Sequence, residues 1–248
     1  MKITQSQQND TKSNSPKISV VIPAYNEEKL IEKTLQSLSR QTFKNFEIIV
    51  VDNNSTDKTA AIAKKFGATV IREKKQGAVF AYNTGMQHSS GKIIAVTDAD
   101  SRPDPYWLEK ILNIFQNNKI IALTGSVRID NNSPLIRLII ERMYIAFIRG
   151  HFLLRKPHLS GFNFAVRREF FDKIGGLNTA YRMSPEVNLG LCLQPLGEII
   201  FAKDVIVTTS TRRWKNGLIK TLFEYMIGYF YTVWLRRPPP IKQAAIRI

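Results

Sequence analysis

Two carboxylates separated by one residue, Asp98 and Asp100, follow the apolar run Ile93, Ile94, Ala95 and Val96. In an extended chain residues two apart point the same way, so both acids reach one spot. Such a pair suits a hard divalent cation that also takes phosphate oxygens and water, and the cargo it implies is a metal-bound nucleotide diphosphate. An isolated D-x-D carries little weight, because polar residues are ordinary where a strand meets a loop.

The elements that must position these acids can be read around them. A short apolar run reads as a strand buried on both faces, and open α/β sheets hold ligands at the C-terminal edge of their strands. Ile18, Val20, Val21 and Ile22 are β-branched and predict a first strand that Pro23 ends. Leu30, Ile31, Leu35 and Leu38 then recur at helical spacing within residues 29–40. A second strand over residues 46–51 leads into residues 52–57, rich in side chains that cap helices and complete turns. A helix through Ala60, Ile62, Ala63 and Phe66, a short strand over residues 68–71 and a helix-like segment holding Asn83 and Gly85 complete the approach. This β-α-β-α-β rhythm predicts a mostly parallel α/β sheet with right-handed crossovers and helices on both faces. Residues 23–27, 52–57 and 98–100 then converge on one edge. The turns of a dinucleotide-binding Rossmann enzyme (G-x-G-x-x-G) and of a P-loop enzyme (G-x-x-x-x-G-K-[ST]) are both missing.

Composition narrows the partners. A chain of 248 residues can bury one substantial core. Its formal charge of +16 points to an anionic partner, a phosphorylated substrate, a phospholipid surface or nucleic acid. No nucleic-acid recognition motif supports the last of these. One cysteine, Cys192, excludes an internal disulfide framework and a thiolate metal cluster, and fits a reducing compartment. Residues 1–16 are polar with no apolar core, a tail rather than a secretory signal.

Four blocks in fixed order, residues 21–27, 50–57, 77–85 and 98–100, resemble the family-2 inverting glycosyltransferases of the GT-A fold. The resemblance covers roughly residues 17–215, which would divide into a nucleotide-sugar half (17–130) and an acceptor half (131–215), with 216–248 as a basic amphipathic appendage. It implies a sugar moved from a UDP- or GDP-type donor with Mn²⁺ or Mg²⁺ as cofactor. Pro23, Tyr25, Glu27, Asp52, Asn54, Gly77, Asn83, Asp98 and Ala99 would line the donor site, and Asp98 and Asp100 would be the metal ligands. Arg213 would assist the diphosphate, ahead of Arg72, Lys74, Lys75 and Arg212. It lies in Ser210-Thr211-Arg212-Arg213-Trp214, similar to the family's Q-x-x-R-W with Ser210 in place of Gln. That departure puts a processive role in doubt.

On the acceptor side, residues 160–168 followed by Gly175, Gly176 and Leu177 resemble the family's second conserved region. Gly161, Asn163, Arg167, Arg168 and Trp214 would contact the acceptor. The family's acidic pair is replaced by Pro185-Glu186, which puts Glu186 at the position of the catalytic base. A glutamate can serve if it reaches the acceptor hydroxyl. Two apolar stretches remain. Residues 134–157 are interrupted by charges too often to span a bilayer comfortably. Ile219, Leu222, Phe223, Met226, Ile227, Phe230, Val233 and Trp234 form a helical stripe suited to a membrane interface, or to the domain or a second subunit in a homodimer. The expectation is a glycosyltransferase peripheral to the cytoplasmic face of a membrane, acting on a glycan or lipid-linked glycan. Its rivals are a polyprenyl-phosphate glycosyl synthase, whose anionic acceptor needs no base, and a non-catalytic sugar-nucleotide-binding protein.

Overall fold

The computed structural model describes residues 16–131, 133–210 and 226–240. The expected N-terminal tail, Arg213, Trp214 and the stripe residues before Met226 lie outside them. The first half alternates strand and helix: β1 (Ile18–Ala24), α1 (Ile31–Ser39), β2 (Phe46–Asp52), α2 (Thr59–Lys65), β3 (Thr69–Arg72), α3 (Ala78–His88) and β4 (Ile93–Val96). All four strands are parallel, with β1 between β2 and β4. The second half adds β5 (Ser101–Pro103), α4 (Trp107–Ile114), β6 (Ile120–Asp130), α5 (Pro134–Leu153), β7 (Phe164–Arg167), α6 (Arg168–Lys173), α7 (Pro185–Leu193) and β8 (Glu198–Ser210). One eight-stranded sheet results, in the order β3-β2-β1-β4-β7-β6-β8-β5. β7 enters antiparallel to both β4 and β6, whereas β6 and β8 pair in parallel.

Strand β1 explains why helices cover both faces. Ile18, Val20 and Ile22 pack with Ile31, Leu35, Trp107 and Leu108 on one side, while Val21 packs with Met86 and Tyr82 on the other. Burying each such aliphatic side chain is worth about 1.5–3 kcal/mol, so an apolar run without alternation is the pattern a two-sided strand requires. Helix α3 lies directly on the strands because residue 85 is glycine: a Cβ there would stand 2.4 Å from Val21 Cγ1 and 2.8 Å from Val51 Cγ2.

Strand β1 runs one residue past Pro23, where the sequence predicted its end. The Val21 carbonyl faces β4 and the Ala24 carbonyl faces the β2 side, accepting from Thr97 and Asn53 respectively. By alternation the nitrogen of Pro23 faces β4, whose pairing stops at Val96 opposite Val21. The missing donor therefore costs no ladder bond.

Candidate active site

Strands β1 and β2 run in register with Ala24 opposite Asp52, so the loops that leave them start side by side. These loops are stitched to one another. Asn26 N donates to Ser55 Oγ at 3.0 Å, Asn26 Oδ1 accepts from Thr56 N at 2.8 Å, and Glu27 N donates to Thr59 Oγ1 at 2.8 Å. Asn53 fastens the next loop, donating to the carbonyls of Glu73 and Lys75 and accepting from Gly77 N, while Asn54 Nδ2 donates to the Lys74 carbonyl. Asn26 and Asn54 have φ of 54° and 66°, a left-handed conformation that asparagine tolerates better than most residues. Burial alone would raise the Asp57 carboxyl, but donors from Thr59 and the Glu28 N–H hold it below the usual range. The loops that carry Pro23, Tyr25, Glu27, Asp52 and Asn54 are therefore fastened to one another by the protein's own hydrogen bonds.

The acidic pair stands where β4 ends. Asp98 Oδ1 accepts from Tyr82 Oη at 2.8 Å, and Asp100 Oδ2 accepts from Ser210 Oγ at 2.8 Å. Ala99 between them is buried, and its carbonyl accepts from Thr34 Oγ1 at 2.7 Å, which ties the turn to α1. Among the described residues no three His, Cys, Asp or Glu side chains gather into a cage. Two hard carboxylates at a strand end nevertheless fit Mg²⁺ or Mn²⁺, which take one or two acids and complete their shell with phosphate oxygens and water. Asp98 and Asp100 are thus the residues that could hold such an ion.

Gly161 and Glu186 stand beside Tyr82. Pro185 opens α7, a position where its missing N–H is harmless, and Glu186 follows in the first turn. Ser184 just before it has φ 48°. A Cβ at Gly161 would stand 2.9 Å from Tyr82 Oη and 3.6 Å from Glu186 Oε1. Glycine therefore lets this loop pass between the tyrosine hydroxyl and the glutamate carboxylate. Ser160 is held in turn by Tyr144, whose Oη lies 2.7 Å from Ser160 Oγ and donates to the Gly125 carbonyl at 3.0 Å. Burial pushes the Tyr144 hydroxyl up to about 12, so it remains neutral as a donor.

The topology does not bring every expected residue here. Because β7 is antiparallel to β4, Arg167 pairs with Ile93, at the end of the sheet away from Asp98. Its guanidinium donates to the carbonyls of Ile120, Phe115 and Asn117, and Arg168 donates to the carbonyls of Gly91 and Ser89. Both arginines fasten loops rather than face an acceptor. Asn163 is fully buried, accepting from Trp107 Nε1 at 2.9 Å and donating to the carbonyls of Ser126 and Val205. Asn83 Oδ1 accepts from Leu177 N at 3.0 Å and so supports the Gly176 turn rather than a donor. Tyr82, by contrast, joins the Asp98 side to the Glu186 side and was not singled out from the sequence. Its only signal was its place inside the block of residues 77–85.

The model of glycosyl transferase family 2 matches residues 19–175. This chain belongs to that family. Over 123 residues it is 37% identical to the glycosyltransferase AglE of Haloferax volcanii, covering 46% of this chain and 40% of that protein. It is 31% identical over 123 residues to the Escherichia coli enzyme WfgD, a UDP-Glc:α-D-GlcNAc-diphosphoundecaprenol β-1,3-glucosyltransferase, covering 48% of this chain and 49% of that one. The chain thus spans less than half the length of either relative. The mannosyltransferase PcManGT from Pyrobaculum calidifontis, solved with GDP-Man and Mn²⁺, superposes with a TM-score of 0.68 at 21% identity over 92% of this chain and 67% of that one. The family-2 chain therefore has the GT-A fold, a curled and mostly parallel sheet with helices on both faces.

Proposed function

We infer that this family-2 chain transfers one sugar from a nucleotide diphosphate donor to a hydroxyl of a glycan or lipid-linked glycan, with inversion, as a peripheral protein at the cytoplasmic face of a membrane. The observation that carries this reading is the row of side chains in which Tyr82 bonds Asp98 and Gly161 spaces Tyr82 from the Glu186 carboxylate. A structural neighbour solved in complex with GDP-Man and Mn²⁺ and a relative named as a glucosyltransferase on a diphosphoundecaprenol-linked GlcNAc support the donor and acceptor classes.

In this reading the loop of Pro23, Tyr25 and Glu27 and the loop of Asp52 and Asn54 hold the nucleoside, and Asp98 orients ribose and diphosphate. Asp100, with Asp98, would hold a divalent cation, which when bound offsets the charge that grows on the departing diphosphate. Glu186 takes the acceptor proton as the hydroxyl oxygen forms its bond to the anomeric carbon, and the bond to the diphosphate breaks on the opposite face. No described helix is long and apolar enough to cross a membrane.

The test is Glu186→Gln, which keeps the shape and removes the proton acceptor. A positioned base contributes about 10²-fold to 10⁴-fold, so turnover on a hydroxyl acceptor should fall by at least the lower factor with donor affinity unaltered. Full activity would remove Glu186 from the chemistry and favour an acceptor that is already ionised, such as a lipid phosphate.

A further inference from the structure

Helix α5 turns its apolar row outward. Leu135, Ile139, Met143, Ala146 and Leu153 recur on one helical face, and that face is open: Leu135 is 66% exposed, Met143 67% and Leu153 84%. The inward face is already used. Ile148 and His151 are buried, Tyr144 holds Ser160, and Glu141, the one acid of the helix, accepts from Ile129 N at 3.0 Å. Only cations accompany the outward row, with Arg142 and Arg149 along its border, Arg137 in the first turn and Arg155 just past the end. A second segment extends the surface. The Tyr229 ring lies 4.9 Å from that of His151 and 6.4 Å from that of Phe147, which sets this segment beside the second half of α5, while Val233 is buried against Val187 and Leu191 of α7. Met226, Phe230 and Trp234, spaced four apart, then stay exposed, and Lys156 Nζ lies 5.6 Å from the Trp234 ring centroid.

The geometry points to α5 and residues 226–235 as one docking surface that lies in the headgroup region of an anionic lipid bilayer. Exposed apolar side chains bordered by basic ones, with a tryptophan at the end, are what an interfacial helix presents. Anionic lipid supplies the charge that this surface lacks. A second copy of the chain would set arginine against arginine, since α5 offers no outward acid and residues 226–240 contain none. The proposal rests on the acceptor reading above and sharpens it. Tyr144 on the inward face of α5 holds Ser160, whose neighbour Gly161 lies against Glu186, so a docked α5 brings the acceptor wall down to the lipid surface.

The test is flotation of the full chain with vesicles of mixed phosphatidylcholine and phosphatidylglycerol and with vesicles of phosphatidylcholine alone. The unaltered chain should float with the mixed vesicles and more weakly with the neutral ones. Ile139→Asp with Met143→Asp should lower that partition about tenfold or more, with unchanged hydrolysis of nucleotide sugar. Should that pair fail to fold, Arg142→Glu with Arg149→Glu, both on exposed positions, should cause a similar loss. Flotation that survives both pairs overturns the proposal. So does a dimer in solution that Met143→Asp separates, because the face then belongs to a second copy. Flotation by a chain that hydrolyses no nucleotide sugar would leave this surface standing and remove the enzymatic reading alone.

Discussion

Tyr82 carries the clearest expectation at the scale of single residues. Its hydroxyl donates to Asp98, and its buried ring is held by the core whether or not that hydroxyl is present. A hydrogen bond to a charged group is worth about 1.5–3 kcal/mol to the fold, so Tyr82→Phe should lower stability by up to that amount and also weaken nucleotide-sugar binding, because Asp98 loses the donor that orients it. Chemical denaturation and calorimetric titration check the two effects. An unchanged affinity would make Tyr82 a packing residue only. Gly161→Ala acts on the same place from the other side, because its methyl would press on the Tyr82 hydroxyl. The polar rim was legible in the sequence because asparagine and aspartate advertise left-handed turns and caps: Asn26 and Asn54 adopt them. Tyr82 was not, since a tyrosine within a helix gives no hint of which partner its hydroxyl meets.

Helices and strands make different predictions. The first four strands and the helices between them could be read from periodicity, since each crossover is local and parallel. The direction of β7 could not, because Phe164, Ala165 and Val166 are buried and look the same read either way. That one reversal moves Arg167 to the far end of the sheet, where it fastens the carbonyls of Phe115 and Ile120. Arg167→Ala should therefore lower stability by about 1–3 kcal/mol, as expected for buried acceptors left unpaired, and leave the acceptor KM unchanged. Chemical denaturation and steady-state kinetics separate the two effects. A raised KM at full stability would return Arg167 to the site.

A second prediction at this scale concerns the contact between α5 and the C-terminal segment. His158 Nδ1 is buried with no hydrogen-bond partner among the described residues, and its ring lies 5.3 Å from that of His151 and 6.3 Å from Tyr229. Burial, with His151 nearby, pushes the His158 imidazole down to about 3. The unfolded chain protonates this residue near its ordinary value while the folded chain does not, so this contribution to stability is complete above about pH 6.5 and is lost as the pH falls. By pH 5 the loss reaches about 2 kcal/mol. Replacing the ring by one that cannot titrate, as in His158→Phe, should flatten the slope of stability between pH 6.5 and 5. Equal slopes in both proteins would mean that His158 protonates without hindrance in the fold.

For the whole molecule, the sheet and the site meet in how ligands stabilise the fold. The three loops proposed to hold the donor leave the adjacent strands β2, β1 and β4, and Asp100 is joined through Ser210 to the end of β8, so a ligand at this edge would span both halves of the chain. Anything that binds only the folded state adds about 2.7 kcal/mol at a hundred times its dissociation constant. For a domain of this size that corresponds to a rise in melting temperature of roughly 5–10 °C. A nucleotide diphosphate sugar should raise the melting temperature modestly alone and by the larger amount with Mn²⁺ if, as proposed, Asp100 helps to hold the ion. In Asp100→Ala the increment from Mn²⁺ should vanish, while the nucleotide retains the smaller effect that comes from the loops of Tyr25 and Asp52. Comparing UDP and GDP sugars in the same assay selects the base. An Mn²⁺ increment that survives Asp100→Ala would place the ion elsewhere, and equal shifts with and without the ion in the unaltered chain would leave the diphosphate to be held by cationic side chains alone.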